Sequence, residues 1–334
     1  LAARVAIVFG TVLKFTFRSK MATNEANATS ASFSNKVPEN KTKTLLCNQG
    51  AVRAVRFNID GEYCLTCGSD KSVKLWNPHK ALHLQTYSGH ASEVLDASGS
   101  HDSSHIVSCG MDRSVYLWDV SSAQAVRRYR AHAAQVNCVV FNQESTIILS
   151  ASLDGTLKAW DCKSRSRDPV QVFDDAKDSI TSIYVTNFEI VTSSLDAKVR
   201  KYDLRKGLLD VDDCSASATN VCLSKDGQCI LVGCLDSCIR LLDKDTGELL
   251  NVYKGHTNKK YKIESHFVNN DSHIVSGSED GKLYIWDLIK CTLKATIIHE
   301  NHRVVHSVSV HPTKNEILTA AEGTVYLWTD IKEE

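Results

Sequence analysis

A histidine, a serine and an aspartate recur together at three places in this chain: His90, Ser108 and Asp112; His132, Ser150 and Asp154; His256, Ser276 and Asp280. These are the residue types of a hydrolytic triad, in which an imidazole takes the hydroxyl proton and a carboxylate orients the ring. Each set ends on a tryptophan six residues after its aspartate: Trp118, Trp160 and Trp286. An active site is built once, whereas this trio is built three times with an indole attached. The repetition assigns the sets to structure, because the indole N–H and the hydroxyl need partners when buried. Elsewhere there is no phosphate-cradling glycine loop, no nucleophile elbow and no His pair at metal spacing. Cys64 and Cys67 form one Cys-x-x-Cys. In a strand, positions three apart face opposite sides, and no second pair stands at zinc spacing. The chain is therefore expected to be no enzyme, with no catalytic residue, metal or cofactor.

The elements that position these residues are repeats. An aromatic residue or Leu followed by a polar residue recurs at Trp76-Asn77, Trp118-Asp119, Trp160-Asp161, Tyr202-Asp203, Leu242-Asp243, Trp286-Asp287 and Trp328-Thr329, at spacings of 42, 42, 42, 40, 44 and 42. Six residues before each stands an acid: Asp70, Asp112, Asp154, Asp196, Asp236, Asp280 and Glu322. Short apolar runs ending in a hydroxyl residue precede the acid (IVS, 106–108; ILS, 148–150), and alternating runs such as SVYLW (114–118) follow it. Each unit therefore reads as four short strands split by polar turns. One unit buries its faces poorly. Seven stacked about an axis bury them all and leave only short edges.

Gly-His or Ala-His precedes three units, at His90, His132 and His256. This opening, with a Trp-Asp close and a period of about 40–45 residues, resembles the WD40 repeat family over about residues 43–330. The resemblance implies an all-β fold, a seven-bladed β-propeller. It also implies that the His, Ser or Thr, Asp and Trp of one unit form a hydrogen-bonded chain. By register, Asn48, Ala176 and Cys214 replace the His in units one, four and five. Unit five has Val232 for the hydroxyl and Leu242 for the Trp, and unit seven has Glu322 for the Asp. These units are expected to open more easily. Trp328 lies near the C-terminus, so the seventh unit holds three strands; an N-terminal outer strand at 43–47 (KTLLC) is expected to supply the fourth and close the ring.

Partners of such propellers are proteins, and the face used carries the turn with the Asp and the entry to each first strand. The residues before the acids include Met111, Leu153, Leu195 and Leu235, four apolar residues in consecutive turns. If exposed they form an apolar arc, the mark of a binding site. Glu93, Gln135, Lys260, Glu279 and Arg303 are expected on the same face. Three stretches, 49–78, 86–100 and 241–250, resemble WD40 proteins that organise the mitogen-activated (extracellular-signal-regulated) kinase cascade. That likeness implies a scaffold for kinase-cascade components and also an association with the spliceosome in pre-mRNA splicing. Tyr202-Asp203-Leu204-Arg205 approximates the box of cullin ubiquitin-ligase substrate receptors, with Tyr for Trp.

Composition agrees with a protein binder. Lys+Arg and Asp+Glu are both 39, which argues against a nucleic-acid binder. Basic runs occur at 127–130, 163–167 and 259–262, and their plain reading is solvated strand edges. The 12 cysteines fall singly in apolar runs, as reduced core residues do, which suits cytoplasm and nucleus. No apolar run is long enough for a membrane helix, and the propeller is expected to be a monomer within larger complexes. Residues 1–42 read as a disordered tail, polar from Met21. Residues 1–20 are acid-free and read as upstream translation. The propeller is placed at 43–332.

Overall fold

The structure is a computed structural model that describes residues 36–300 and 302–330. The expectations for the tail up to residue 35 lie outside the described residues. Among those described there are 28 strands and no helix, arranged as seven antiparallel four-stranded sheets.

The ring follows from how the first strands pack. These are Val52–Phe57, Val94–Gly99, Val136–Phe141, Ile180–Val185, Ala218–Leu223, Ser265–Val268 and Val305–Val310. Each packs against the next, and the last packs against the first. They form the inner wall of a seven-bladed β-propeller. The strands alternate, and side chains that leave one sheet enter the face of its neighbour. Trp118 and Ile106 thus share a core with Ala54, Leu65 and Tyr87 of the preceding blade. Cys64 and Cys67 sit in two different cores, as opposite faces of a strand require.

Six of the seven inner strands carry a bulge after their first residue, for example between Val94 and Asp96 or Val136 and Cys138. Blade six has none. A bulge re-aims the strand end where the entry loop arrives, so blade six receives its loop differently.

Blade seven is closed by Asn40–Leu46, which pairs antiparallel with Thr324–Thr329. The strand starts three residues before the expected Lys43, and Val37 already packs with Ile285, Ile297 and Trp328. The ring therefore begins ahead of residue 43. Its polar start, Asn-Lys-Thr-Lys, hid it: this is an edge strand, and edges carry polar residues by preference.

Candidate functional site: the relays and the loop face

In blade two, His90 Nε2 lies 2.8 Å from Ser108 Oγ, which also accepts the Trp118 indole N–H at 2.8 Å. His90 Nδ1 is 3.1 Å from Asp112. With one ring proton, the hydroxyl donates to Nε2 and Nδ1–H donates to the carboxylate. Blade three repeats this with His132, Ser150, Trp160 and Asp154 at 2.8, 2.8 and 3.2 Å. Ser108 and Ser150 are both 0% exposed, so no substrate reaches either hydroxyl. Burial lowers the pKa of His132. Burial alone would raise Asp154, but bonds from Thr156 and the Ala133 N–H bring it to about 2.

Blade six departs from the expectation. Its Ser276 hydroxyl turns to the Gly277 carbonyl, and Trp286 donates instead to the Lys254 carbonyl at 3.1 Å. His256 Nδ1 has no partner among the described residues, and Asp280 takes the Tyr284 hydroxyl. The cause is the entry loop. In blades two and three the N–H before the Asp bonds the carbonyl three residues after the His (Met111 to Glu93, Leu153 to Gln135). In blade six, Glu279 bonds Thr257, the residue next to His256. With no bulge to receive the loop, His256 rests edge-on against Trp286, ring centroids 5.6 Å apart, while the serine turns to the backbone. Ser150→Ala should cost about 1–3 kcal/mol, because two buried groups lose their partner. Ser276→Ala should cost less, about 0.5–1.5 kcal/mol, because only its own bond to the Gly277 carbonyl is lost. Urea unfolding of both variants checks this, and equal losses would contradict it.

Two relays escaped the sequence. In blade seven, His299 Nε2 and the Trp328 N–H both meet Thr319 Oγ1 at 2.8 Å. Trp328 follows His299 by 29 residues, close to the 28 of blades two and three, but Ile-His hid the signal. In blade one, Gln49 replaces His, not Asn48, which is exposed with φ 50°. Thr66 Oγ1 bridges Gln49 Oε1 at 2.5 Å and the Trp76 N–H at 2.9 Å. In blades four and five the Asp is held by an arginine four residues on: Arg200 to Asp196 at 2.6 Å and Arg240 to Asp236 at 2.5 Å. These carboxylates are therefore anchored, although in blade four Thr192 Oγ1 has no partner among the described residues.

The loop face carries the expected residues. Met111 is 40% and Leu153 47% exposed, while Leu195 and Leu235 are half-buried, so the arc is strongest on blades two and three. Glu93 is paired with Arg53 at 2.9 Å, and Gln135 bonds Asn137 at 3.2 Å. Arg303 lies 3.3 Å from Glu322. Glu279 Oε1 gathers the backbone N–H groups of Lys259, Lys260 and Tyr261 at 2.7, 2.6 and 3.1 Å. Those bonds, together with burial that opposes them, leave its carboxyl below its usual value. The loop so folded presents Tyr261, 44% exposed, whose exposure the sequence did not single out. The same loop sends Lys262 from blade six to the Asn137 carbonyl of blade three at 3.1 Å.

One group has metal-ligand types: His79, His311 and Glu316, whose donor atoms lie within 4.8 Å of one another. His311 Nδ1 accepts the N–H groups of Thr313 and Lys314 at 3.1 and 2.9 Å. Its proton is thereby kept on Nε2, which is a donor and no ligand. The set does not fit a metal.

The model of the WD domain, G-beta repeat, matches residues 39–77, 82–119, 123–161, 247–287 and 291–329. Between those matches, 162–246 holds the outer strand of blade three, blade four and the first three strands of blade five. The chain is 60% identical over 294 residues to the WD repeat domain-containing protein 83 of Rattus norvegicus, covering 88% of this chain and 93% of that one. The human protein of the same name is 59% identical over 294 residues, with the same coverage. The Dictyostelium discoideum homolog is 35% identical over 315 residues, covering 86% and 97%.

Proposed function

This chain belongs to the WD40 repeat family, whose propellers typically serve as non-catalytic protein-interaction scaffolds, and from that premise we propose that it assembles components of the mitogen-activated (extracellular-signal-regulated) kinase cascade. One observation carries the scaffold reading. The residues of triad type are sealed inside the blades, while large apolar side chains stand exposed on the loop face. Met111, Leu153 and Tyr261 are the side chains best placed to anchor a partner, since buried apolar and aromatic anchors carry most interface energy. The kinase cascade is supported by the likeness of 49–78, 86–100 and 241–250 to its organisers. The same likeness supports a role in the spliceosome, in which case the protein acts in both cytoplasm and nucleus.

Leu153→Asp/Leu195→Asp should weaken partner capture at least about 10-fold without unfolding the ring, because a charge placed in an apolar contact is strongly disfavoured. Affinity purification with mass spectrometry, comparing this variant with wild type, checks it. Cascade kinases lost from the variant support the proposal. Spliceosomal proteins lost in their place favour the second reading. Retention of every partner by a folded variant overturns the role of this face.

A further inference from the structure

Two basic runs that are separate in sequence meet on the rim between blades two and three. The outer strand of blade two, Ala125–Tyr129, carries Arg127 and Arg128 and leads into Arg130. The loop after the third strand of blade three carries Lys163, Arg165 and Arg167. Arg127 Nη2 donates to the Lys163 carbonyl at 3.4 Å and joins loop to strand. Arg130, Lys163, Arg165 and Arg167 are exposed. Among the described residues, no carboxylate lies within ion-pair reach of any of the six except Asp112, 3.7 Å from Arg128. Nearby acids are engaged otherwise: Asp119 takes the Ser121 and Ser122 hydroxyls, and Asp161 caps the Lys163 and Ser164 N–H groups. Arg127 Nη1 is a buried donor with no acceptor among the described residues, while Arg128 and Arg130 donate Nε–H to the Ser114 hydroxyl at 3.2 and 3.3 Å and Arg128 lies over the Tyr116 ring.

Five of the six have no counter-charge among the described residues, and an anionic ligand relieves the repulsion between neighbouring cations. Five of the six are arginines, whose planar forks match phosphate oxygens in pairs. Single-stranded nucleic acid needs aromatic rings on which bases stack. The rings here, Tyr129 and Trp160, are 2% and 1% exposed. We propose that this rim is a second docking surface, which takes a phosphorylated acidic segment of a partner protein. The proposal rests on the scaffold reading but not on the loop face.

The test is fluorescence anisotropy on the full chain at physiological salt. The probes are an acidic peptide with two phosphoserines, its unphosphorylated twin and a single-stranded RNA of equal charge. The phosphopeptide should bind best. Lys163→Glu/Arg165→Glu/Arg167→Glu should weaken it at least about 10-fold, and Arg165→Lys/Arg167→Lys should weaken it by a smaller, measurable factor. Should the triple variant fail to melt like wild type, Arg130→Glu takes its place. Leu153→Asp/Leu195→Asp should bind the peptide as wild type does, so a failure of the loop face is told apart from a failure of the rim. Equal binding of the unphosphorylated twin, tighter binding of RNA, or charge reversal without effect overturns the proposal.

Discussion

Removing Asn40–Leu46 lowers the melting temperature of the whole ring, in a single transition, by about 10 °C or more. The strand supplies the fourth member of blade seven, and Leu45, 1% exposed, packs with Val52, Val55 and Trp76 of blade one as well as Leu318 and Leu327 of blade seven. Truncating one such buried leucine costs about 2–5 kcal/mol, and for a chain of this size each kcal/mol is worth about 2–4 °C. Deletion also strips the outer edge of Thr324–Thr329 of its partner, and an open edge invites pairing with other chains. The destabilisation is global because the strand precedes blade one in sequence while completing blade seven, so it bolts the two ends of the ring together. Leu45→Asp gives the milder form of the same result. Calorimetry decides: a deletion that melts at the wild-type temperature removes closure from the account of stability.

The second large effect sits inside the ring. Arg56 on the inner strand of blade one reaches Glu264, at the head of blade six, at 2.5 Å, and Asp96 of blade two at 2.8 Å. Glu264 and Asp96 side chains are 5% and 2% exposed. Removing one partner of a buried pair leaves an uncompensated charge, so Arg56→Met should cost about 3–5 kcal/mol. Urea unfolding measures this, and adding Glu264→Gln to the variant should recover part of the loss. The pH dependence carries a sign. Burial alone would raise the Glu264 carboxyl, but the charge and hydrogen bonds of Arg56, with help from Lys262, bring it to about 2. A carboxyl depressed in the fold contributes stability above its unfolded pKa and loses it as pH falls through the folded value. The unfolded chain is common to both proteins, so the gap follows Glu264 in the two folds: it narrows as pH falls from the carboxyl's value in Arg56→Met, where the arginine no longer offsets burial, towards about 2 in wild type. Burial holds His256, His299 and His311 near 4. They destabilise both proteins below about pH 6.5 alike; His266, which burial also holds near 4, feels Glu264 and Arg56, so losing Arg56 raises it and narrows the gap in acid as well. A gap that widens with acid would contradict the pairing.

Much of the architecture was legible because it is local. The acid six residues before each Trp closes its own turn, as Asp70 does with Ser72 and Asp154 with Thr156, so period and turn chemistry read out seven blades. The relays of blades two and three were legible for the same reason. Those of blades one and seven were not, because Gln49 and His299 lack the small-residue-His opening that marks the others. Their function depends on a side chain's reach, not on its neighbours in sequence. Leu195 and Leu235 occupy the expected turns, yet their exposure depends on how adjacent loops cover them.

By itself, then, the sequence determined the strands, the seven-fold count and the residues able to satisfy a buried indole. Each of these follows from alternation and turn preference within some forty residues. Tertiary structure alone decided which relays form. His256, Ser276 and Trp286 have the residue types, but in a blade with no bulge and a differently anchored loop the serine and the indole turn to backbone carbonyls instead. It alone set Arg56 beside Glu264, and Arg127 beside Lys163. The physical reason is the same in each case. A ring brings together residues from different blades only after it closes, and no local propensity encodes a contact between strands that meet across it.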